Sequence, residues 1–168
     1  FWWDSSNEKL YRYISGGFKE ISIVPPAVQY GDRAVVMGGY DHSQQRIQYF
    51  DITTTGNATD FGDLYVDTYS HGPTGFSNAT RGCCAGGSGA GNQVIQFVVI
   101  STTGDSTDFG DLAVSRYNAA ACADGTYGVI LGGYGNEGNG NEDLNHMEYV
   151  TIATSGNGTN FGDLISAG

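Results

Sequence analysis

One ten-residue string constrains this chain more than any other feature. TGNATDFGDL at residues 55–64 returns as TGDSTDFGDL at 103–112 and, one residue longer, as TSGNGTNFGDL at 154–164. A double glycine travels with it, at Gly38-Gly39, Gly86-Gly87 and Gly132-Gly133. Three copies in register mean that the chain is built of one unit repeated, each copy burying an apolar face against the next. The distance from Gly39 to Gly87 is 48 residues and from Gly87 to Gly133 is 46, while Phe61, Phe109 and Phe161 are separated by 48 and 52. A period in the high forties fits a blade of short strands better than a pair of helices.

The diglycine-to-Phe interval is 22 residues in the first two copies and 28 in the third, which therefore carries an insertion of six. It lies within YGNEGNGNEDLNH, residues 134–146, whose glycines, amides and acids predict a protruding loop. Tyr134, Asn136, Glu137, Asn139, Asn141, Glu142 and Asp143 are its candidates for contact with a ligand or partner. Whether they meet calcium, a sugar or only water is open at this point.

Each repeat reads as a series of strands. RAVVMGG (33–39), RGCCAGG (81–87) and YGVILGG (127–133) are short apolar runs closed by glycines, the pattern of strands covered on both faces. The diglycine admits another backbone where a Cβ would clash. RIQYFDITT, VIQFVVIST and HMEYVTIAT follow, with an aromatic at Tyr49, Phe97 and Tyr149 placed for packing between repeats. In the recurring string, Gly56 and Asn57 suit a turn that Phe61 and Leu64 pin to the sheet, so Phe61, Phe109 and Phe161 are expected to be buried equivalents. The opening FWWDSSNEKLYRYIS aligns 37 residues ahead of GGYDHSQQRIQYFDI and reads as a shortened fourth copy, after which Pro25-Pro26 predicts a kinked strand end or linker. The expected organisation is a single repeat domain, 1–168, with a partial repeat at 1–37 and repeats at about 38–85, 86–131 and 132–168. The expected fold is all-β, in antiparallel four-stranded units.

Composition narrows the partners. Seven Lys and Arg against 18 Asp and Glu give a net charge of −11, which opposes binding to a phosphate backbone and excludes nucleic acid as the natural partner. The longest apolar run, VIQFVVI at 94–100, is strand-length, so no membrane-inserted helix is expected. The chain begins at Phe1 without Met, the mark of a processed chain or of an excerpt from a longer one.

Chemistry-bearing residues are few. Asn57, Asp60 and Asp63 recur as Asp105, Asp108 and Asp111 and as Asn157, Asn160 and Asp163, an oxygen set that suits Ca²⁺ but equally suits turns that bond their own backbone. The second reading is preferred, and neither a metal nor a cofactor is expected. Cys83 and Cys84 stand where Val35-Val36 and Val129-Ile130 stand, and with Cys122 they read as small apolar residues; neighbours on a strand point to opposite faces and do not grip one ion. His42, His71 and His146 have no repeated partner and read as surface histidines. No nucleophile-base-acid set, phosphate loop or pair of placed carboxylates is discernible, so no catalytic residue is assigned.

A short apolar strand, a diglycine and two following aromatics resemble the Kelch repeat of β-propellers, which implies about three and a half blades. The match is partial: Kelch blades carry Trp where Phe61, Phe109 and Phe161 stand. ITTTGNATDFGDL, followed by a variable segment and a diglycine strand, resembles the repeats of structural proteins of tailed bacteriophages, over residues 40–168. That resemblance implies a non-enzymatic structural or adhesive component of the virion, a tail fibre or a capsid- or tail-associated protein acting in host attachment. Its expected partners are other virion subunits, as a homo-oligomer or part of a longer chain, and a host-surface polysaccharide. The competing readings are a glycan-processing enzyme on a propeller scaffold and an extracellular Kelch-like domain of a cellular organism.

Overall fold

The structure, a computed structural model, describes residues 2–4, 9–21, 31–39, 45–67, 72–88, 92–136 and 140–167. The chain divides into two compact units, Phe1–Tyr30 and Gly31–Gly168. Pro25-Pro26, His42, His71, Glu137 and Asn139 lie outside the described residues.

The first unit holds one antiparallel sheet of β1 (Trp2–Asp4), β2 (Lys9–Ile14) and β3 (Gly17–Ile21), in that order. Gly16, at φ +100°, makes the tight reversal between β2 and β3 that a residue with a Cβ rarely makes.

Among its described residues the second unit is fourteen strands in four antiparallel sheets, with no helix. The first sheet runs β4 (Arg33–Met37), β5 (Arg46–Asp51), β6 (Thr59–Asp63). β2 lies 37 residues before β5, as the alignment of the opening segment requires. The second sheet runs β7 (Thr74–Ser77), β8 (Arg81–Ala85), β9 (Val94–Val99), β10 (Thr107–Asp111). The last full sheet runs β12 (Ala120–Ala123), β13 (Tyr127–Leu131), β16 (His146–Thr151), β17 (Thr159–Asp163). Each glycine-ended strand pairs with the aromatic strand after it, so a sheet straddles the diglycine from which the sequence period is counted.

The insertion is not a protruding loop. Tyr134–Asn136 (β14) and Asn141–Asp143 (β15) pair as a hairpin, and β14 pairs in turn with Ser115–Tyr117 (β11) to make a small third sheet. Gly135 makes this possible, because a Cβ there would run into the Ser115 carbonyl. Tyr134 packs on Tyr117 with ring centroids 5.4 Å apart, and Leu144 is buried beside the hairpin. A run poor in apolar side chains is thus ordered by backbone pairing to a strand of the preceding connection, Ser115–Tyr117, which composition does not reveal.

Alternate residues on each strand face the preceding and the following repeat. Cys83, Ala85 and Ile95 join Phe109, Ile130, Val150 and Ile152 in one buried cluster, whereas Cys84 and Val98 join Ile47, Phe61 and Leu64 in another. The core is therefore two seams, one between the first and second repeats and one between the second and third. Cys83 and Cys84 fill different seams and burial pushes both thiols up to about 12, while Cys122 is exposed.

Candidate functional site

The recurring string departs from a simple pinned turn. FGD is an edge strand, and its Phe is the extra residue of a β-bulge: Ile47 pairs Gly62 and Gln48 pairs Asp60, leaving Phe61 unpaired. Phe109 and Phe161 sit in the same irregularity. A bulge turns the edge strand outward and increases its twist. Gly62 and Gly110, at φ +152° and +146°, follow the bulged Phe and bring the edge directly onto the next repeat. A Cβ at Gly62 would run into Gly104, and one at Gly110 into Gly156.

At these contacts the loop of one repeat grips the edge of the one before. Gly104 donates its N–H to the Phe61 carbonyl (2.7 Å) and Ser106 to the Asp63 carbonyl (2.9 Å), while the Asp105 carboxylate accepts the Asp63 N–H at 2.9 Å. The Ser106 hydroxyl accepts the Tyr65 N–H at 2.7 Å. At the second joint Gly158 donates to the Asp111 carbonyl (2.8 Å), and Asn157 Oδ1 accepts the Asp111 N–H at 3.1 Å. Asp105 and Asn157 are therefore bound to the preceding repeat rather than to their own turn, which corrects the expectation of self-bonded loops at these two positions. Asn160 does bond locally, accepting the Gly162 N–H at 2.7 Å. Self-bonded turns occur elsewhere: Asn78 accepts from Thr80 and Arg81, and Asp124 accepts from Thr126 and Tyr127.

A second clamp lies deeper. Gln96, fully buried, donates to the Val66 carbonyl at 2.9 Å and accepts from the Val66 N–H and the Ser106 hydroxyl. Glu148 takes the same place one repeat later, accepting from the Ala113 and Val114 N–H groups at 2.6 and 3.3 Å. Its charge is met by Arg116, buried to 1%, which also donates to the Gly132 and His146 carbonyls. A buried carboxylate is tolerable only when paired and hydrogen-bonded. His146 lies 3.9 Å from both Glu148 and Asp163. Gln96 and Glu148 escape sequence reading because a polar residue in an alternating strand looks solvent-facing; their recurrence with Gln48 at one position is the signal that marks them.

Arginines complete each joint. Arg33 lies over the Tyr49 ring (4.3 Å) and donates to the Ile100 carbonyl at 2.8 Å; Arg81 lies over Phe97 (4.2 Å) and donates to the Ile152 carbonyl at 3.1 Å.

The candidate site is what the two joints leave over. On the face of the first sheet that corresponds to the buried Cys84, Gln96 and Val98, the residues Val36, Gln48, Phe50 and Ile52 are exposed. On the opposite-facing side of the last sheet, Tyr127, Tyr149 and Phe161 line a groove of about 490 Å³ with Val129, Cys122 and Asp124. Tyr127 takes the position of Arg33 and Arg81, its ring edge-on to Tyr149 at 5.6 Å. Phe161 is 57% exposed against 3% and 2% for Phe61 and Phe109, so the expected burial fails at the third copy, because burial comes from the following repeat and not from the Phe's own sheet.

The remaining sequence candidates fall outside this arrangement. Asp60 and Asp108 are exposed on their edge strands, and Asn57 is exposed at the first loop. Asn136, Asn141, Glu142 and Asp143 are exposed on the insertion hairpin. No cluster of three or more His, Cys, Asp or Glu suited to a metal occurs among the described residues. No protein-family model matches the chain, and no curated protein matches it.

Proposed function

We propose that this chain is a non-catalytic scaffold of a bacteriophage virion, a tail fibre or a capsid- or tail-associated protein, built of Kelch-like propeller blades whose open faces and loops meet neighbouring subunits. The observation that carries the scaffold reading is the use of the polar side chains. Asp105, Asn157, Gln96 and Glu148, the residues a binding or catalytic site would draw on, are engaged in holding one repeat to the next. Three sheets packed face to face in two seams support blades, and exposed apolar residues such as Phe50, Ile52, Tyr127 and Phe161 support contact with further protein. The virion assignment rests on the phage-like repeats of the sequence, and the exposed hairpin with Asn141, Glu142 and Asp143 is the place where a host-surface polysaccharide would be met.

Imaging of assembled particles with this protein labelled tests the reading. Label at a fixed place on the particle is the expected result. Label absent from particles, or release of sugars from host polysaccharide by the purified chain, overturns it.

A further inference from the structure

We propose that Asn157 is a site of spontaneous deamidation gated by the second joint, so that its conversion records the opening of that joint.

Asn157 is followed by Gly158. In such a pair the backbone nitrogen of the glycine can attack the side-chain amide carbon of the asparagine, unhindered by a Cβ. A C–N bond forms to Cγ, the bond from Cγ to the amide nitrogen breaks, and ammonia leaves with the proton of the attacking nitrogen. Water then opens the succinimide at either carbonyl, leaving aspartate or isoaspartate. Nothing is oxidised or reduced, and water is the only other reactant.

The closed joint withholds both reacting groups. The Gly158 N–H donates to the Asp111 carbonyl at 2.8 Å, and Asn157 Oδ1 accepts the Asp111 N–H at 3.1 Å. One residue of the preceding repeat thus holds the proton of the nucleophile and the oxygen of the electrophile, and both bonds must break before the nitrogen turns onto Cγ. Water is not limiting, because Asn157 is exposed. Local opening of the joint is the gate, and such openings free a loop without global unfolding.

The glycine is held in place by the same joint. A Cβ at 158 would run into Glu148 Oε2, so the buried Glu148–Arg116 clamp keeps the labile pair beside it. The first joint is built differently: Gln96 accepts from the Ser106 hydroxyl, and Asp105 before it already carries the acid. Asn57 precedes Ala58. Within the recurring string, deamidation onto a glycine is therefore confined to the third copy. Conversion to aspartate supplies the side chain with which Asp105 latches Asp63, whereas isoaspartate carries the main chain through the former side chain and displaces the acceptor.

Peptide mapping by mass spectrometry after incubation at mildly alkaline pH tests this, in native buffer and in urea. In urea Asn157 is expected to convert at a rate close to that of Asn139, the other asparagine followed by glycine. In native buffer it is expected to convert at least about tenfold more slowly than in urea. Arg116→Met is expected to speed native conversion several-fold, and Asp105→Ala, which loosens the first joint, to leave it at the wild-type rate. If Arg116→Met fails to fold, Val150→Ala, which thins the same seam, replaces it. Equal rates in native buffer and urea, no conversion in urea, an unchanged native rate in the second-joint variant, or equal acceleration by Asp105→Ala overturns the proposal.

Discussion

Phe109→Ala and Phe161→Ala remove the same ring from the same bulge, and the difference between them isolates what the following repeat contributes. Both rings keep an edge-on partner within their own sheet, Phe97 at 5.9 Å and Tyr149 at 6.0 Å, so that contact cancels in the comparison. What does not cancel is burial, 2% exposure against 57%. Truncating a core Phe costs about 3–5 kcal/mol, the sum of lost transfer energy and an unfilled cavity. An exposed Phe gives back little, about 1 kcal/mol or less. Denaturant unfolding of each variant, at a concentration where the chain is monomeric, is therefore expected to place Phe109→Ala at least about 2 kcal/mol below Phe161→Ala, with the slope m unchanged. A difference under about 1 kcal/mol would show that neighbouring repeats do not bury the bulged Phe.

Arg116→Met is expected to cost about 3–5 kcal/mol by leaving the Glu148 carboxylate buried without its cation, and adding Glu148→Gln is expected to recover part of that, because Gln96 performs the same clamp without an arginine; thermal and denaturant unfolding of the single and double variants check it. A chelator is expected to leave the melting temperature unchanged, since the latching Asp105 and Asn157 are bonded to backbone N–H groups; a large drop on adding EDTA would make the loops a metal site. Native alkylation at mildly alkaline pH is expected to label Cys122 and spare Cys83 and Cys84, read by mass spectrometry. Stability is expected to fall as pH rises above 9, because the unfolded thiols release protons there while the folded ones, held up to about 12 by burial, do not; denaturant unfolding at a series of pH values checks it.

The repeat period, the strand positions and the opposed burial of Cys83 and Cys84 were legible because they depend on local pattern and on the alternation of a strand. The bulge was not, since a bulged Phe and a turn Phe have the same neighbours in sequence. The exposure of Phe161 was not, because identical strings differ in burial when only two of them are followed by a described repeat. The roles of Asp105 and Asn157 were misread for a related reason: a loop Asx offers the same acceptor to its own backbone and to a neighbour 40 or more residues away, and only the docking of the edge strand decides between them. The insertion hairpin depends on β11, an element of the preceding connection that carries no repeat signature of its own.

Each joint includes a loop whose Asx side chain accepts one edge-strand N–H of the repeat before it, Asp105 at Asp63 and Asn157 at Asp111. Residue-resolved amide hydrogen exchange tests it most directly. Asp105→Ala is expected to speed exchange at Asp63 and leave Asp111 protected, and Asn157→Ala is expected to do the reverse, because each side chain holds only its own partner at 2.9 and 3.1 Å. Unchanged exchange at Asp63 in Asp105→Ala, or equal acceleration at both sites in either variant, would contradict the latch.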